Sequence, residues 1–377
     1  MAEREKEYKI TDHQLFITPL LLWIKLRRQN KVAKGRRWMA FKITLFVLIS
    51  SPFRGIQRLY LRRKLRSVDP NKKPPVFVIG HWRSGTTHLH YLLWQDKQFV
   101  CLDAFQAFFF NIAFVSKTIV KPILNAFMPS TRPQDNVKID ANSPQEEEHP
   151  LTNRTYMSGM HAFFFPKNLT YLTKWNLFEN VTESEVKEWK QTYSDLLKKI
   201  LLFQDPKKRL LLKNPHNTGR IKVLSEMFPK AKFIFIHRNP YEVYSSTRVL
   251  YAKTVSTQFL QDVSDKEIED RILISYEKTL TRYLELRGLI PKNQIIEVAY
   301  ADLDNKPLEE LKRMYEHLDL GDFNSVLPLF QKYLEGVKNF KKNKPVAIPE
   351  RILQRIQTDW KFAFDEWGYQ MNEVKSS

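Results

Sequence analysis

The sequence of 377 residues contains very little cysteine and no long apolar run. Its one cysteine, Cys101, excludes an intrachain disulfide framework. A single thiol is typical of a protein in a reducing compartment. The two longest apolar stretches, residues 16–24 and 43–53, fall short of the ~20 residues that a membrane-spanning helix needs. These absences favour a globular protein without a transmembrane helix.

Acidic residues are scarce at one end of the chain. Residues 1–73 contain 19 Lys and Arg against 5 Asp and Glu, which places +14 of the net charge of +20 in that segment. Such asymmetry indicates contact with an anionic surface at one end and does not favour a nucleic-acid groove along the whole protein. Because its apolar stretches are short and framed by basic residues, we predict that residues 1–72 form a basic, amphipathic helical extension that contacts a membrane interface. Packing of these helices on the main domain is the first alternative, and a true membrane span is the least favoured one.

The location of the protein is less constrained by the sequence. The mixed-charge start MAEREKEYKITDH does not resemble a secretion signal. We therefore expect a cytoplasmic protein, with peripheral attachment to a membrane as an option. Three N-x-[ST] sequons, at Asn153, Asn168 and Asn180, keep a lumenal location open as a less favoured alternative.

Residues 73–377 have the pattern of an α/β domain. Short, wholly apolar runs are separated by longer helical segments, which is typical of parallel strands covered by helices on both faces. We predict a three-layer fold like that of P-loop nucleoside triphosphatases, with a central parallel sheet. The predicted strands are Val76–Ile79, Leu210–Leu212, Phe233–Ile236 and Ile295–Val298, and the clearest predicted helices cover 182–200 and 307–318.

The stretch GHWRSGTT (80–87) has the spacing of a phosphate-binding loop but lacks its lysine, because Thr86 follows the second glycine. It lies between the first predicted strand and a helical pattern, where backbone amides and a helix N-terminus bind phosphate. Arg83 is the cation within the loop, and a guanidinium can bind a terminal oxyanion with two hydrogen bonds. The loop is therefore predicted to bind a nucleotide 5′-phosphate that does not continue into a triphosphate.

A second candidate phosphate site follows the strand KFIFIH (232–237). Arg238 comes at the end of that strand, where α/β sheets bind ligands. Ser246 lies eight residues further along, within a predicted helix. These two side chains are predicted to hold a second phosphate group.

Together these two segments resemble the 3′-phosphoadenylylsulfate (PAPS)-dependent sulfotransferases, specifically the RSGTT-loop group related to tyrosylprotein sulfotransferases. The resemblance implies that the loop holds the 5′-phosphosulfate and that Arg238 and Ser246 hold the 3′-phosphate. The segments 210–221 and 297–320 support it, although Ala301 stands where the family usually has Glu. FKKNKP (340–345) resembles the basic loop that closes over the nucleotide. The implied nucleotide-binding residues are Arg83, Ser84, Gly85, Thr86, Thr87, Arg238, Ser246, Lys341, Lys342, Asn343 and Lys344.

The stretch SPQEEEHPL (143–151) is the candidate source of the base that deprotonates the acceptor, and it resembles an acidic segment of the same family. Burial of one of several crowded carboxyl groups raises its pKa toward neutrality. We favour Glu147 as the base and keep Glu146, Glu148 and His149 as alternatives. Two further candidates for contact with substrate or nucleotide are Lys213 and His81.

The sequence therefore predicts a sulfotransferase that uses PAPS as co-substrate, needs no metal ion and transfers to a hydroxyl or amine. The aromatic runs 101–115 and 161–166 either belong to the core or line a cleft for a lipid or other apolar acceptor. A P-loop phosphotransferase that uses a nucleoside triphosphate is the first alternative. The second is a non-catalytic nucleotide-binding protein at a membrane surface.

Overall fold

The computed structural model describes residues 13–127, 131, 137–338 and 346–371. The residues of the proposed basic loop lie outside this part of the chain, so their predicted contact with the nucleotide stays a prediction. These residues are Lys341, Lys342, Asn343 and Lys344.

A five-stranded parallel sheet forms the centre of the fold, with the strand order β2-β3-β1-β4-β5. The predicted central parallel sheet is confirmed, and each predicted strand lies within an observed one. The two-residue strand β2 was not predicted, because its apolar run is too short to stand out. The strands are β1 Val76–Ile79, β2 Phe99–Val100, β3 Arg209–Lys213, β4 Lys232–His237 and β5 Ile295–Ala299.

Eighteen α-helices lie in the described part of the chain, together with several short 3-10 turns. Both helices predicted from periodicity are present, α10 with the expected capping box at Thr182 and Glu185. The helices are α1 Leu20–Gln29, α2 Arg37–Ile49, α3 Ser51–Lys64, α4 Thr86–Leu93, α5 Ala104–Phe109, α6 Ala113–Phe127, α7 Glu148–Thr152, α8 His161–Phe164, α9 Thr170–Leu177, α10 Glu183–Phe203, α11 Ile221–Met227, α12 Pro240–Lys253, α13 Asp265–Leu286, α14 Tyr300–Asn305, α15 Pro307–Leu318, α16 Phe323–Val337, α17 Glu350–Asp359 and α18 Lys361–Trp367.

The sheet is covered on both faces, because alternate residues of β1 belong to two different apolar clusters. Phe77 and Ile79 pack in the larger cluster with α10, α12 and α13. Val76 and Val78 pack in the smaller one, with α4, α15 and α16. This alternation is the period-2 pattern of a strand. It gives the three layers that the sequence predicts.

Helices α1 and α2 bury one face each in the larger cluster. Leu22 and Leu26 of α1 and Ile43 and Val47 of α2 are all buried there. Among the described residues no single helix is long and apolar enough to cross a membrane. Residues 34–49 and 51–67 have the length and composition only as a pair, with a bend of 45° between them.

Candidate active site

The loop after β1 follows a backbone path that demands glycine at two points. Gly80 has φ 142° and Gly85 has φ 100°, values that side-chain-bearing residues rarely adopt. A Cβ atom on Gly80 would collide with the carbonyl oxygen of Ile236, and one on Gly85 would collide with the ring of Tyr300. The loop is thus pressed against β4 and against the segment that follows β5. Arg83 also has a positive φ, of 72°.

The structure brings the two predicted phosphate segments together. The Nε of Arg83 donates a hydrogen bond to the hydroxyl of Ser246 at 2.9 Å. Nη1 of Arg238 lies 3.4 Å from the carbonyl oxygen of Arg83. This proximity follows from the strand order, since β1 and β4 are neighbours and parallel, so that the segments after them meet at one edge. A single small ligand can therefore reach all three residues.

Tyr300, which sequence reasoning did not single out, completes this edge. Its ring lies 4.3 Å from the guanidinium carbon of Arg238, a cation–π contact. The same ring closes against Gly85. Arg238 is also bound by Glu242, whose carboxylate lies 2.5 Å from Nε. The signal in the sequence was the tyrosine two residues after the predicted strand 295–298, but a lone tyrosine near a strand end is not distinctive.

The other loop residues lie as the strand–loop–helix pattern predicts. Ser84 and Thr86 are buried, and Thr87 is half-buried in the first turn of α4. Thr218 was not predicted. Its hydroxyl accepts a hydrogen bond from the Gly80 amide at 2.8 Å and lies 3.1 Å from the Gly80 carbonyl. This contact fixes the start of the loop to the segment after β3.

Lys213 ends β3 beside the phosphate loop and is almost fully buried. Its Nζ lies 2.5 Å from a carboxylate oxygen of Glu146. Burial alone would raise the pKa of Glu146, but Lys213, and then His149, hold it below its ordinary value. Glu146 is thus a carboxylate at neutral pH, and part of its side chain reaches solvent.

Glu147, the favoured base, is fully buried. Its Oε1 accepts hydrogen bonds from the hydroxyl of Tyr193 at 2.8 Å and from the amide of Asn217 at 2.7 Å. Burial, with a smaller contribution from the neighbouring carboxylates, raises its pKa to about 7 against the hydrogen bonds that lower it. The raised pKa agrees with the sequence argument, but the side chain points into the core. Its role as the base stays a prediction.

Glu148 has a third environment. Both of its oxygens bind the guanidinium of Arg220, at 2.6 and 2.9 Å, inside the core. Burial opposes ionisation, but Arg220 and further hydrogen bonds hold the pKa of Glu148 well below its usual range. A buried, paired carboxylate of this kind fixes the neighbouring segments in place.

The histidines near the loop are held as neutral rings. Burial lowers the pKa of His81 to about 3 and that of His216 to about 4. His216 Nδ1 donates to the amide oxygen of Asn176 at 2.7 Å, and His81 Nδ1 donates to the carbonyl oxygen of Trp82 at 3.0 Å. Each ring therefore keeps the lone pair on Nε2. His149 lies against Phe108, with ring centroids 6.4 Å apart.

A cluster of aromatic rings is centred on Trp82 of the loop. The ring of Trp82 packs edge-on against His216 at 4.7 Å, against His81 at 5.1 Å and against Phe163 at 5.7 Å between centroids. Phe163 belongs to the aromatic run 161–166. The edge of the sheet thus combines cations, a carboxylate and apolar rings. This combination can bind an anionic donor and an apolar acceptor side by side.

Comparison with known proteins gives the same family as these residues. The chain matches the Sulfotransferase family over residues 74–324. It is 29% identical over 350 residues to the omega-hydroxy-beta-dihydromenaquinone-9 sulfotransferase Stf3 of Mycobacterium bovis and of Mycobacterium tuberculosis, covering 92% of this chain and 89% of each relative. That coverage includes part of the basic N-terminal segment.

Solved structures show the same fold. Sulfotransferase STF9 from Mycobacterium avium superposes with a TM-score of 0.67 and 18% identity, covering 97% of this chain and 93% of that one. Sulfotransferase STF1 from Mycobacterium tuberculosis gives 0.62 and 16%, covering 93% of each chain. The chain therefore belongs to the sulfotransferase family and is an enzyme that transfers sulfuryl groups.

Proposed function

We propose that this enzyme transfers the sulfuryl group of PAPS to a hydroxyl of an apolar acceptor. The observation that carries the proposal is the meeting of Arg83, Arg238 and Ser246 at one edge of the sheet. A donor with phosphate groups on the 3′ and 5′ oxygens of one ribose needs two anion sites close together. The catalytic unit is residues 73–377, preceded by the basic extension.

The residues present suit both ends of this nucleotide. The glycine-dependent loop 80–87 and the start of α4 offer backbone amides to the 5′-phosphate. Arg238 and the Ser246 hydroxyl are available to the 3′-phosphate, and Tyr300 orients the Arg238 guanidinium. PAPS supplies the activated sulfuryl group.

We assign the chemistry to Arg83, Lys213 and Glu146. In the transfer, the acceptor oxygen forms a bond to sulfur, and the bond from sulfur to the phosphate oxygen breaks. The displaced phosphate leaves with the bonding electrons, and the acceptor proton passes to Glu146. Arg83 and Lys213 stabilise charge on the sulfuryl and leaving oxygens, which is the largest contribution available to a pre-organised site. No metal ion enters this scheme.

Glu146 is better placed than Glu147 or Glu148 to act as the base, because its surroundings differ from theirs. It contacts Lys213 at the strand end and is partly accessible, whereas Glu147 and Glu148 are fully buried on core partners. Its pKa is low while Lys213 is paired with it. When Lys213 turns toward the donor, the pair weakens and Glu146 becomes a stronger base.

An apolar acceptor is supported by the aromatic group at the loop and by the relatives. Trp82 of the phosphate loop packs against Phe163, and we place the hydroxyl of the apolar acceptor near these two rings. The relative Stf3 is named for a hydroxylated menaquinone. We therefore place the acceptor among hydroxyl-bearing lipids. We also propose a cytoplasmic location at a membrane surface.

The decisive experiment compares two nucleotides in thermal unfolding of the full chain. Adenosine 3′,5′-bisphosphate at 100 times its dissociation constant should stabilise the protein by about 2.7 kcal/mol, and ATP–Mg²⁺ should have little effect. Labelled sulfate should then pass from PAPS to a lipid extract. Stabilisation by ATP–Mg²⁺ alone would contradict PAPS as the donor, and bisphosphate binding without transfer to the lipid extract would contradict a lipid acceptor.

A further inference from the structure

The basic extension contains a long stretch without a single acid. Residues 20–67, which cover α1, α2 and α3, contain 14 Lys and Arg and no Asp or Glu. Charge of one sign over such a length repels itself, and contact with an anionic surface relieves that repulsion. The stretch therefore favours a partner that supplies many negative charges over an extended surface.

Helix α2 is apolar on two sides. Its inner residues Ala40, Ile43 and Val47 are buried in the core. Its outer residues repeat at three- and four-residue steps and are exposed, with Trp38 at 65% and Leu48 at 50%. A helix that needed only to cover the core would carry polar residues on that outer side.

Helix α3 extends this exposed apolar surface. Ser50 separates the two helices, and α3 exposes Phe53, Ile56 and Leu59. We call the exposed outer side of α2 and α3 the docking face. It comprises Trp38, Phe41, Leu48, Phe53, Ile56 and Leu59.

Helix α6 adds apolar surface next to α3. The Gln57 side chain joins the two helices by donating to the Phe110 carbonyl and accepting from the Phe114 amide, each at 2.8 Å. On α6, Ile119 and Ile123 are one turn apart and exposed at 69% and 51%. The backbone before Glu146 contacts this region, since the amide of Ala141 donates to the Asn125 side chain of α6 at 3.0 Å.

We propose that the docking face lies in the interface of an anionic lipid bilayer, flat against the headgroups. Apolar rings and aliphatic side chains enter the headgroup–acyl boundary, while the lysines and arginines beside them bind lipid phosphates. The bend of 45° between the two helices suits a path along the surface. The contact also brings α6 and the carboxylate segment toward lipid. Only this last step rests on the lipid acceptor proposed above.

The test is co-sedimentation of the full chain with two kinds of vesicle, one of phosphatidylcholine and one of equal parts phosphatidylcholine and phosphatidylglycerol. The chain should bind the anionic vesicles strongly and the neutral ones weakly, and salt should weaken the binding. Replacing three apolar residues together, Phe41→Ser, Leu48→Ser and Phe53→Ser, should lower the partition coefficient at least about 10²-fold. The matched control is Leu289→Ser, an exposed leucine elsewhere, which should change nothing.

A second variant keeps the apolar face and removes charge. Arg58→Gln, Arg62→Gln and Arg63→Gln together should lower binding to anionic vesicles about 10²-fold and leave binding to neutral ones unchanged. Bisphosphate stabilisation should persist in both triple variants, so that failure of docking is distinguishable from failure of the nucleotide site. Equal, weak binding of the unaltered chain to both vesicles would overturn the proposal. So would self-association that the apolar triple variant abolishes.

Discussion

Arginine is used in two different ways at the sheet edge and in the N-terminal helices. At the edge, Arg83 and Arg238 are each directed at fixed oxygen atoms. In α1 and α3, arginines such as Arg28 and Arg62 lie exposed in a stretch with no acid. The presence of arginine alone does not distinguish the two regions. The difference is the geometry of the partners, which fixes a guanidinium for one small anion or leaves it for an extended surface.

The largest expected effect comes from substitutions in the site that leave the N-terminal extension unchanged. Arg83→Ala should reduce sulfuryl transfer from PAPS to a detergent-dispersed lipid extract by about 10³-fold or more, because the site loses the loop cation that we assign to the sulfuryl charge. Arg238→Ala should instead weaken bisphosphate binding about 10- to 100-fold. Initial rates and thermal shifts measure the two.

Arg28→Ala is the matched control, since it removes an equal charge from α1. Its transfer rate in detergent should equal that of the unaltered chain. Full activity in Arg83→Ala would remove the assignment of the site.

The second prediction separates adjacent carboxylates. Glu146→Gln should lower the transfer rate about 10²- to 10⁴-fold with bisphosphate binding unchanged, because the proton acceptor is lost. Glu147→Gln should keep most of the activity, because that side chain faces Tyr193 and Asn217 in the core. The reverse ranking of the two variants would establish Glu147 as the base.

The Glu147 variant also carries a check on stability. The pKa of Glu147 in the folded protein is about 7, raised from 4.5. Its contribution to stability is fully present below pH 4.5 and is lost as the pH rises through 7. In denaturant unfolding, the free energy of unfolding of Glu147→Gln, relative to that of the unaltered chain, should therefore increase as the pH rises from 4.5 to 7. A constant difference would contradict the buried environment of this carboxyl group.

The smallest expected effect compares two glycines. Gly85→Ala should destabilise the protein by about 1–3 kcal/mol, because a side chain at φ 100° is strained and meets Tyr300. Gly55→Ala in α3 should stabilise it by about 0.5–1 kcal/mol, since a Cβ there has open space around it. Urea unfolding measures both. Equal effects would show that the loop is not held by its neighbours.

The sequence predicted most of the sheet and the meeting of the two candidate phosphate segments, because parallel strands are short apolar runs and their ends share one edge. Arg83, Arg238 and Ser246 met for that reason. Sequence reasoning did not find Tyr300 or Thr218, because their contacts join segments far apart in the chain.

The carboxylate stretch shows a different limit. Glu146, Glu147 and Glu148 are adjacent and chemically identical, so no pattern ranks them. Their separation arises at the start of α7, where the backbone turn directs one toward Lys213 and the others toward Tyr193 and Arg220. The prediction of a raised pKa in this stretch agrees with Glu147, although the accessible group is Glu146.

The hydrogen bond from Arg83 to Ser246 bears on how the enzyme releases its spent nucleotide. Ser246 accepts from Arg83 and keeps its own proton to donate, so one hydroxyl connects the groups that we assign to the two ends of the ligand. Adenosine 3′,5′-bisphosphate keeps both phosphates after the sulfuryl group has left, so under the proposed assignment it would keep its contacts to these groups. Release of this product would then limit the rate of turnover. An activity that removes the product from solution would keep it from rebinding to the free enzyme.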